Sequence, residues 1–115
     1  MMNETMDGPF QEIADVASLD EFLTSGNGSA VILFKHSNTC GVSSRAHREL
    51  ANLNQPVGIV IVQHARPVSD EIERRWNLAH ETPQVLIVRD GKVLWHASHF
   101  QVKAQDVEKA MSSAS

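Results

Sequence analysis

The sequence predicts a single α/β domain in which helices flank a mixed sheet of four to five strands. Short continuous apolar runs at 30–34 and 57–62 are typical of strands that are buried on both faces. The stretch between them repeats apolar residues at helical spacing. Asp90-Gly91 lies between two later apolar runs and favours a tight hairpin. We therefore expect parallel strands joined by crossover helices in the first half and an antiparallel pair in the second.

The first predicted elements are a short edge strand within 11–16 and a helix after it. Ser18-Leu19-Asp20-Glu21 matches a capping box, so Ser18 is expected to cap this helix. The Gly- and Asn-rich segment 25–29 then ends the helix, because these residues favour turns. The next strand is expected at 30–34.

A second helix is predicted over about 41–53, since apolar residues recur there at helical spacing before Asn54 and Pro56. The third strand is the run at 57–62. Ser69-Asp70-Glu71 is expected to open the third helix, because acidic residues favour the positive end of a helix. That helix should stop near His80.

The last elements are a hairpin and a helix. The turn Arg89-Asp90-Gly91-Lys92 is expected to join strands at 85–88 and 93–95, which should therefore be antiparallel. A final helix is predicted over about 103–111, where apolar residues again recur at helical spacing.

Composition and charge exclude several classes of partner. The chain has 10 Lys and Arg against 14 Asp and Glu, and its formal charge of −4 disfavours nucleic acids and anionic membranes. No apolar run approaches the roughly 18 residues of a membrane span. All 115 residues are expected to form one monomeric domain, with 1–10 and 112–115 frayed.

Cys40, the single cysteine, lies where the second strand leads into the second helix. The unpaired N–H groups at the start of a helix favour the thiolate, which is the reactive form of cysteine. One cysteine cannot form an internal disulfide, and residues 1–10 lack the basic and apolar regions of a secretion signal. A cytoplasmic location is therefore expected. The alternative for Cys40 is an inert, buried, small hydrophobic residue.

Four stretches carry a family resemblance. They are Phe34-Lys35-His36-Ser37 leading into Thr39-Cys40-Gly41-Val42-Ser43, then His80-Glu81-Thr82-Pro83-Gln84, Asp90-Gly91-Lys92 and Ser98-His99. With them, the chain from about Ser18 to Val107 resembles the monothiol bacilliredoxin family, the YtxJ-type proteins of the bacillithiol system in the thioredoxin-like superfamily. The family usually has Thr-Cys-Pro-Ile-Ser at its active site. Gly41 and Val42 replace the proline and the isoleucine, which should leave the helix start less rigid.

The resemblance implies a thioredoxin-like fold and a thiol-disulfide oxidoreductase. Cys40 would be the catalytic nucleophile that takes bacillithiol from S-bacillithiolated proteins as a mixed disulfide, which a second thiol then reduces. Bacillithiol is then the co-substrate, S-thiolated proteins are the partners, and no metal is expected. Ser43 stands where dithiol relatives keep a resolving cysteine, and its hydroxyl can donate a hydrogen bond to the thiolate.

Other residues would support the site. Thr39, Gly41 and Ser43 flank Cys40 in the same motif. By resemblance, Pro83 is cis and places the Thr82 backbone beside Cys40 to pair with an extended substrate; a trans proline at a strand edge is the alternative. Lys35 and His36 would act as cations that favour the thiolate and attract the carboxylates of bacillithiol. Both could equally be solvated residues at a strand end.

Two other functions remain open. Cys40-Gly41-Val42-Ser43 is similar to the Cys-Gly-Phe-Ser string of monothiol glutaredoxins that hold iron–sulfur clusters, in which two chains each supply a cysteine. Against this, the chain has His96-Ala97-Ser98-His99 where glutaredoxins have a Gly-Gly-Asp type motif. The other alternative is a binding module without catalysis. The six histidines form no recognised ligand spacing, so most are expected at the surface.

Overall fold

The computed structural model describes residues 8–114, and these form one α/β domain with a five-stranded mixed sheet. The strands are β1 (Phe10–Glu12), β2 (Val31–His36), β3 (Val57–Ile61), β4 (Gln84–Arg89) and β5 (Lys92–Ser98). The helices are α1 (Val16–Thr24), α2 (Gly41–Leu50), α3 (Arg66–Trp76) and α4 (Ala104–Ser113). The predicted fold class is confirmed.

The sheet has the strand order β1-β3-β2-β4-β5. β1 and β2 run parallel to β3, as the helical crossovers require. β4 is antiparallel to both β2 and β5, and Asp90 and Gly91 in the hairpin turn have φ of 51° and 78°. The central strand β2 therefore lies between a parallel and an antiparallel neighbour, and its end is enclosed on both sides.

Two apolar clusters cover the two faces of the sheet. Ile32 and Phe34 pack with Leu50 of α2 and Val107 of α4, whereas Leu33 packs with helices α1 and α3. This alternation follows from the strand, whose successive side chains point to opposite faces. It explains why all six residues of β2 are buried and why the strand reads as a continuous apolar run before Lys35.

The first helix begins earlier than the sequence predicts. Asp15, not Ser18, is its N-cap: Asp15 is extended, with φ −148° and ψ 172°, and its Oδ1 accepts a hydrogen bond from Ser18 N at 2.8 Å. Both residue types cap helices well, but the carboxylate also favours the positive helix end. The strand before it consequently ends at Glu12 rather than reaching Val16.

The third helix is also shifted toward the N-terminus. It begins at Arg66, and Pro67 in its first turn has the fixed φ that suits this position. Ser69 is therefore a buried residue within the helix and not its opening residue. Asn77 ends the helix in the left-handed region with φ 54°, three residues before the predicted stop at His80.

At the chain ends, Pro9 O accepts a hydrogen bond from Val57 N at 2.9 Å and α4 continues to Ser113, followed by a buried Ala114. The expected fraying of residues 1–7 and of residue 115 concerns positions outside the described residues. Among the residues that the structure describes, no helix is both long and apolar enough to cross a membrane.

Candidate active site

Cys40 lies at the junction that the sequence indicates. A tight turn follows β2, with Cys40 N donating to Ser37 O at 3.4 Å, and Cys40 is the N-cap of α2 with φ −106° and ψ 124°. Its thiol is free and its side chain is partly exposed. The first turn of α2, which follows the thiol, contains no acidic residue.

The segment Thr82–Pro83 lies beside the end of β2, and its peptide bond is cis. The strand register shows the proximity: Gln84 pairs with Lys35 and Val85 with Phe34 in the antiparallel ladder between β4 and β2. The residues that precede β4 therefore lie next to the turn that follows β2. Two motifs that are 42 residues apart in the chain are brought to one edge of the sheet.

A third segment reaches this edge from the end of β5. His99 N donates to Pro83 O at 2.9 Å, and His99 lies in the left-handed region with φ 56°. Its Nδ1 is 3.5 Å from Glu81 Oε1, and Phe100 beside it has 63% of its surface exposed. The resemblance includes Ser98-His99, but the 3-10 turn His99–Gln101 that packs on α2 has no signal in the sequence.

Ser43 is close to the turn but is held by other partners than the thiol. Its Oγ accepts a hydrogen bond from Ser37 N at 3.0 Å and lies 2.7 Å from His36 Nδ1. Which atom donates in the contact with His36 depends on the tautomer of the ring. Ser43 is buried and ties α2 to the end of β2, and its expected hydrogen bond to the thiolate stays a prediction.

His36 is neither the cation beside the thiol nor the solvated residue that the sequence suggests. It is buried, and its ring lies 5.4 Å from that of Phe34 and 5.1 Å from that of His47. Burial and the nearby His47 lower the pKa of His36 from 6.5 to about 4. His36 is consequently neutral at pH 7, and it supports Ser43 rather than offering a charge to an anionic thiol.

Lys35 points to the opposite face of the sheet, as strand alternation requires. Its side chain is fully buried on the α1 and α3 side, and within residues 8–114 its Nζ has no hydrogen-bond partner. Burial lowers the pKa of Lys35, while Glu73, Asp70 and Glu81 oppose the shift. The expectation of a cation placed to meet a small thiol is therefore corrected for Lys35 as well.

Comparison with known proteins shows the family to which the chain belongs. The family model described as monothiol bacilliredoxin BrxC matches residues 11–107. The chain belongs to the monothiol bacilliredoxin family. This bacilliredoxin is also similar to a solved protein described as a putative oxidoreductase with a thioredoxin fold, with 24% identity, a TM-score of 0.80, and coverage of 94% of this chain and 98% of that one.

Two thioredoxins show the same fold at lower identity. The Fasciola hepatica protein has 13% identity and a TM-score of 0.75, covering 91% of this chain and 99% of its own. A mutant thioredoxin from Halobacterium salinarum has 14% identity and a TM-score of 0.71, covering 98% of this chain and 96% of its own. Family and fold together support a thiol oxidoreductase-type role for the bacilliredoxin.

Gln63 is a residue of the bacilliredoxin site that sequence reasoning missed. It follows β3, and its side-chain amide contacts the turn before Cys40 through Ser37, Asn38 and Thr39. A lone glutamine after a strand carries no specific pattern. The only available signal is topological: the ends of the parallel strands β2 and β3 meet at the same edge of the sheet.

The bacilliredoxin sequence also offers six histidines and two tryptophans as candidate groups. Residues 8–114 contain no group of three or more side chains suited to hold a metal ion. Of the six histidines, His64, His80, His96 and His99 are exposed, so the surface prediction is confirmed for most of them. Trp76 and Trp95 are partly buried against the two apolar clusters.

Proposed function

We propose that this protein is a monothiol disulfide oxidoreductase that removes bacillithiol from S-bacillithiolated proteins. The observation that supports this most directly is the placement of Cys40: a partly exposed, single thiol at the N-cap of α2, in a monothiol bacilliredoxin chain. The N-terminal N–H groups of a helix favour a thiolate over a thiol.

In the first step the Cys40 thiolate attacks the bacillithiol sulfur of the mixed disulfide on a substrate protein. The Cys40–bacillithiol disulfide forms, the protein–bacillithiol disulfide breaks, and the protein leaves as a thiolate that takes a proton from water. Two sulfur atoms remain oxidised throughout, so this transfer needs no external oxidant or reductant.

The second step requires another thiol. Ser43 occupies the position of a resolving cysteine, but a hydroxyl cannot form a disulfide. A second bacillithiol thiolate attacks the bacillithiol sulfur on Cys40, releasing oxidised bacillithiol and the Cys40 thiolate. A reducing, cytoplasmic compartment that maintains free bacillithiol is the setting in which this cycle would run.

The neighbouring segments fit an extended protein substrate. Thr82 precedes Pro83 beside the end of β2, where its backbone would pair with the chain around the modified cysteine. The exposed Phe100 lies on the segment that His99 ties to Pro83, and it would offer apolar contact to that chain. Glu81 and His99 form a polar edge on the same side.

The test is transfer of bacillithiol. The protein and a Cys40→Ser variant are each incubated with an S-bacillithiolated protein, and intact masses are measured. We expect one bacillithiol adduct on the wild-type chain, release of the unmodified substrate, and no adduct on the variant. Free bacillithiol should then remove the adduct.

An unmodified wild-type thiol would contradict the proposal. Anaerobic reconstitution with iron and sulfide would then separate the alternatives, because a visible chromophore indicates a cluster carrier and its absence a non-catalytic module.

A further inference from the structure

We propose that Gln63 is a positioning residue for Cys40: its side-chain amide clamps the turn 37–39 and thereby sets the direction from which the sulfur attacks a disulfide. The inference rests on the proposed function for the identity of the natural substrate. The hydrogen bonds between Gln63 and the turn are independent of which substrate the protein uses.

One side chain contacts three successive residues of the turn. Gln63 Nε2 donates to Ser37 Oγ at 2.9 Å and to Thr39 Oγ1 at 3.3 Å, and Gln63 Oε1 accepts from Asn38 N at 3.0 Å. The two N–H groups of the amide and its oxygen are all used. Reversing the amide would place its oxygen at two hydroxyls and its NH2 against an N–H, so the contacts fix its orientation.

The clamp and Ser43 hold Ser37 through different atoms. The Ser37 hydroxyl accepts a hydrogen bond from Gln63 Nε2, and the backbone N–H of Ser37 donates to Ser43 Oγ at 3.0 Å. Ser37 is therefore fixed between β3 and α2. The hydroxyls of Ser37 and Thr39 are 3.3 Å apart, which links the clamped residues to each other.

Gln63 is itself well anchored. The residue before it, Val62, donates its N–H to His36 O at 2.9 Å, and the residue after it, His64, donates to Ile61 O at 2.8 Å. The amide thus extends from a short, hydrogen-bonded loop at the end of the β2–β3 ladder. A fixed donor and acceptor at this point transfers the rigidity of the sheet to the turn.

The turn needs this support because it has little regular structure. Asn38 and Thr39 are exposed, and the backbone hydrogen bond from Cys40 N to Ser37 O is long at 3.4 Å. Disulfide exchange requires the attacking sulfur to lie in line with the sulfur–sulfur bond, so small shifts of the turn affect the rate. Alkylation by a small reagent has weaker orientation requirements.

The experiment compares Gln63→Ala with Gln105→Ala, an exposed glutamine on α4 that serves as the matched control. Exchange of Cys40 is measured with oxidised bacillithiol and with a small aromatic disulfide, and alkylation by iodoacetamide is measured at high pH, where the thiol is ionised. Urea unfolding monitors stability.

We expect Gln63→Ala to slow both exchange reactions about fivefold, the value of one ordinary hydrogen bond. The alkylation rate of Gln63→Ala at high pH should stay within about twofold of wild type, and its urea midpoint should be unchanged. Gln105→Ala should match wild type in all of these measurements. A joint fall of exchange and of the urea midpoint would show that Gln63 supports the fold in general and would overturn the clamp. Unchanged exchange, an equal loss of alkylation, or an equal loss in the control would each overturn the clamp.

A second variant tests the two donated hydrogen bonds. Gln63→Glu keeps an acceptor for Asn38 N but removes both donors and places a negative charge beside the turn. We expect slow exchange and a higher pH midpoint for alkylation, because a carboxylate disfavours the thiolate. Exchange at the wild-type rate would contradict the proposal.

The two proposals fail in different ways. If the wild-type protein reacts with the aromatic disulfide but not with oxidised bacillithiol, the proposed function is wrong. The rate of Gln63→Ala with the aromatic disulfide then decides whether the clamp is correct. If both reagents react and Gln63→Ala matches wild type with both, the clamp is wrong and the proposed function stands.

Discussion

Lys35 and His36 are adjacent in the chain and both are buried, yet they have opposite surroundings. His36 faces α2, where Ser43 Oγ lies 2.7 Å from its Nδ1 and aromatic rings pack around it. Lys35 faces α1 and α3, and within residues 8–114 no group hydrogen-bonds its Nζ. A pattern of consecutive polar residues therefore does not indicate one shared role, because a strand sends its neighbours to two different interiors.

The largest expected effect is the loss of stability when the buried ring of His36 is removed. His36→Ala removes a buried ring and leaves the Ser43 hydroxyl without the ring nitrogen that it contacts. We expect the free energy of unfolding to fall by roughly 3–4 kcal/mol, combining the cavity and the unpaired polar group. Urea unfolding measures this loss. A change below about 1 kcal/mol would show that the His36 surroundings contribute no more than an exposed site.

The pH dependence of stability tests the same ring. The pKa of His36 is about 4 in the folded protein against 6.5 for the free side chain, so the unfolded state binds the extra proton first as pH falls. Stability should therefore decrease between pH 6.5 and about 4, by roughly 3 kcal/mol in total.

The control for this prediction is His36→Asn, which keeps an acceptor near Ser43 but does not titrate. Other groups also contribute in acid: burial lowers the pKa of His80, and Arg74 and Arg75 lower that of Glu71 to about 2. The decisive quantity is the difference between wild type and variant. Parallel stability curves above pH 4.5 would contradict the assigned role of His36.

Ser43→Ala gives an intermediate effect on the same side of the sheet. It leaves the buried Ser37 N–H and His36 Nδ1 without the hydroxyl that joins them. We expect the free energy of unfolding to fall by roughly 2 kcal/mol. Ser44→Ala, one residue along α2 and partly exposed, is the control. Equal effects of the two substitutions in urea would show that Ser43 is an ordinary helix residue.

The smallest expected effect has the opposite sign and concerns Lys35. Lys35→Met replaces a buried amine, whose Nζ has no hydrogen-bond partner within residues 8–114, with an apolar chain of similar length. We expect the free energy of unfolding to rise by about 1 kcal/mol, since removing an unsatisfied buried group relieves its desolvation. Lys92→Met at the exposed start of β5 should change little. A clear loss of stability in Lys35→Met would show that Nζ is bound to a partner in solution.

The pattern of the chain was sufficient to predict the main elements and the catalytic candidate. Two apolar runs fixed the central strands, Asp90-Gly91 fixed the hairpin, and Cys40 was placed at a strand-to-helix junction. Helix starts were predicted less accurately, because Asp15 and Ser18 are both good caps three residues apart and the residue types alone do not select between them.

Local sequence by itself determined the elements, their order and the position of the single thiol, because period, turn residues and caps act over a few neighbouring residues. Only the tertiary structure decided which partner each polar residue meets. The neutral His36, the buried Lys35 and the Gln63 clamp all depend on contacts between strands and helices that are distant in the chain. Burial and hydrogen-bond geometry are properties of those contacts, so no local pattern encodes them.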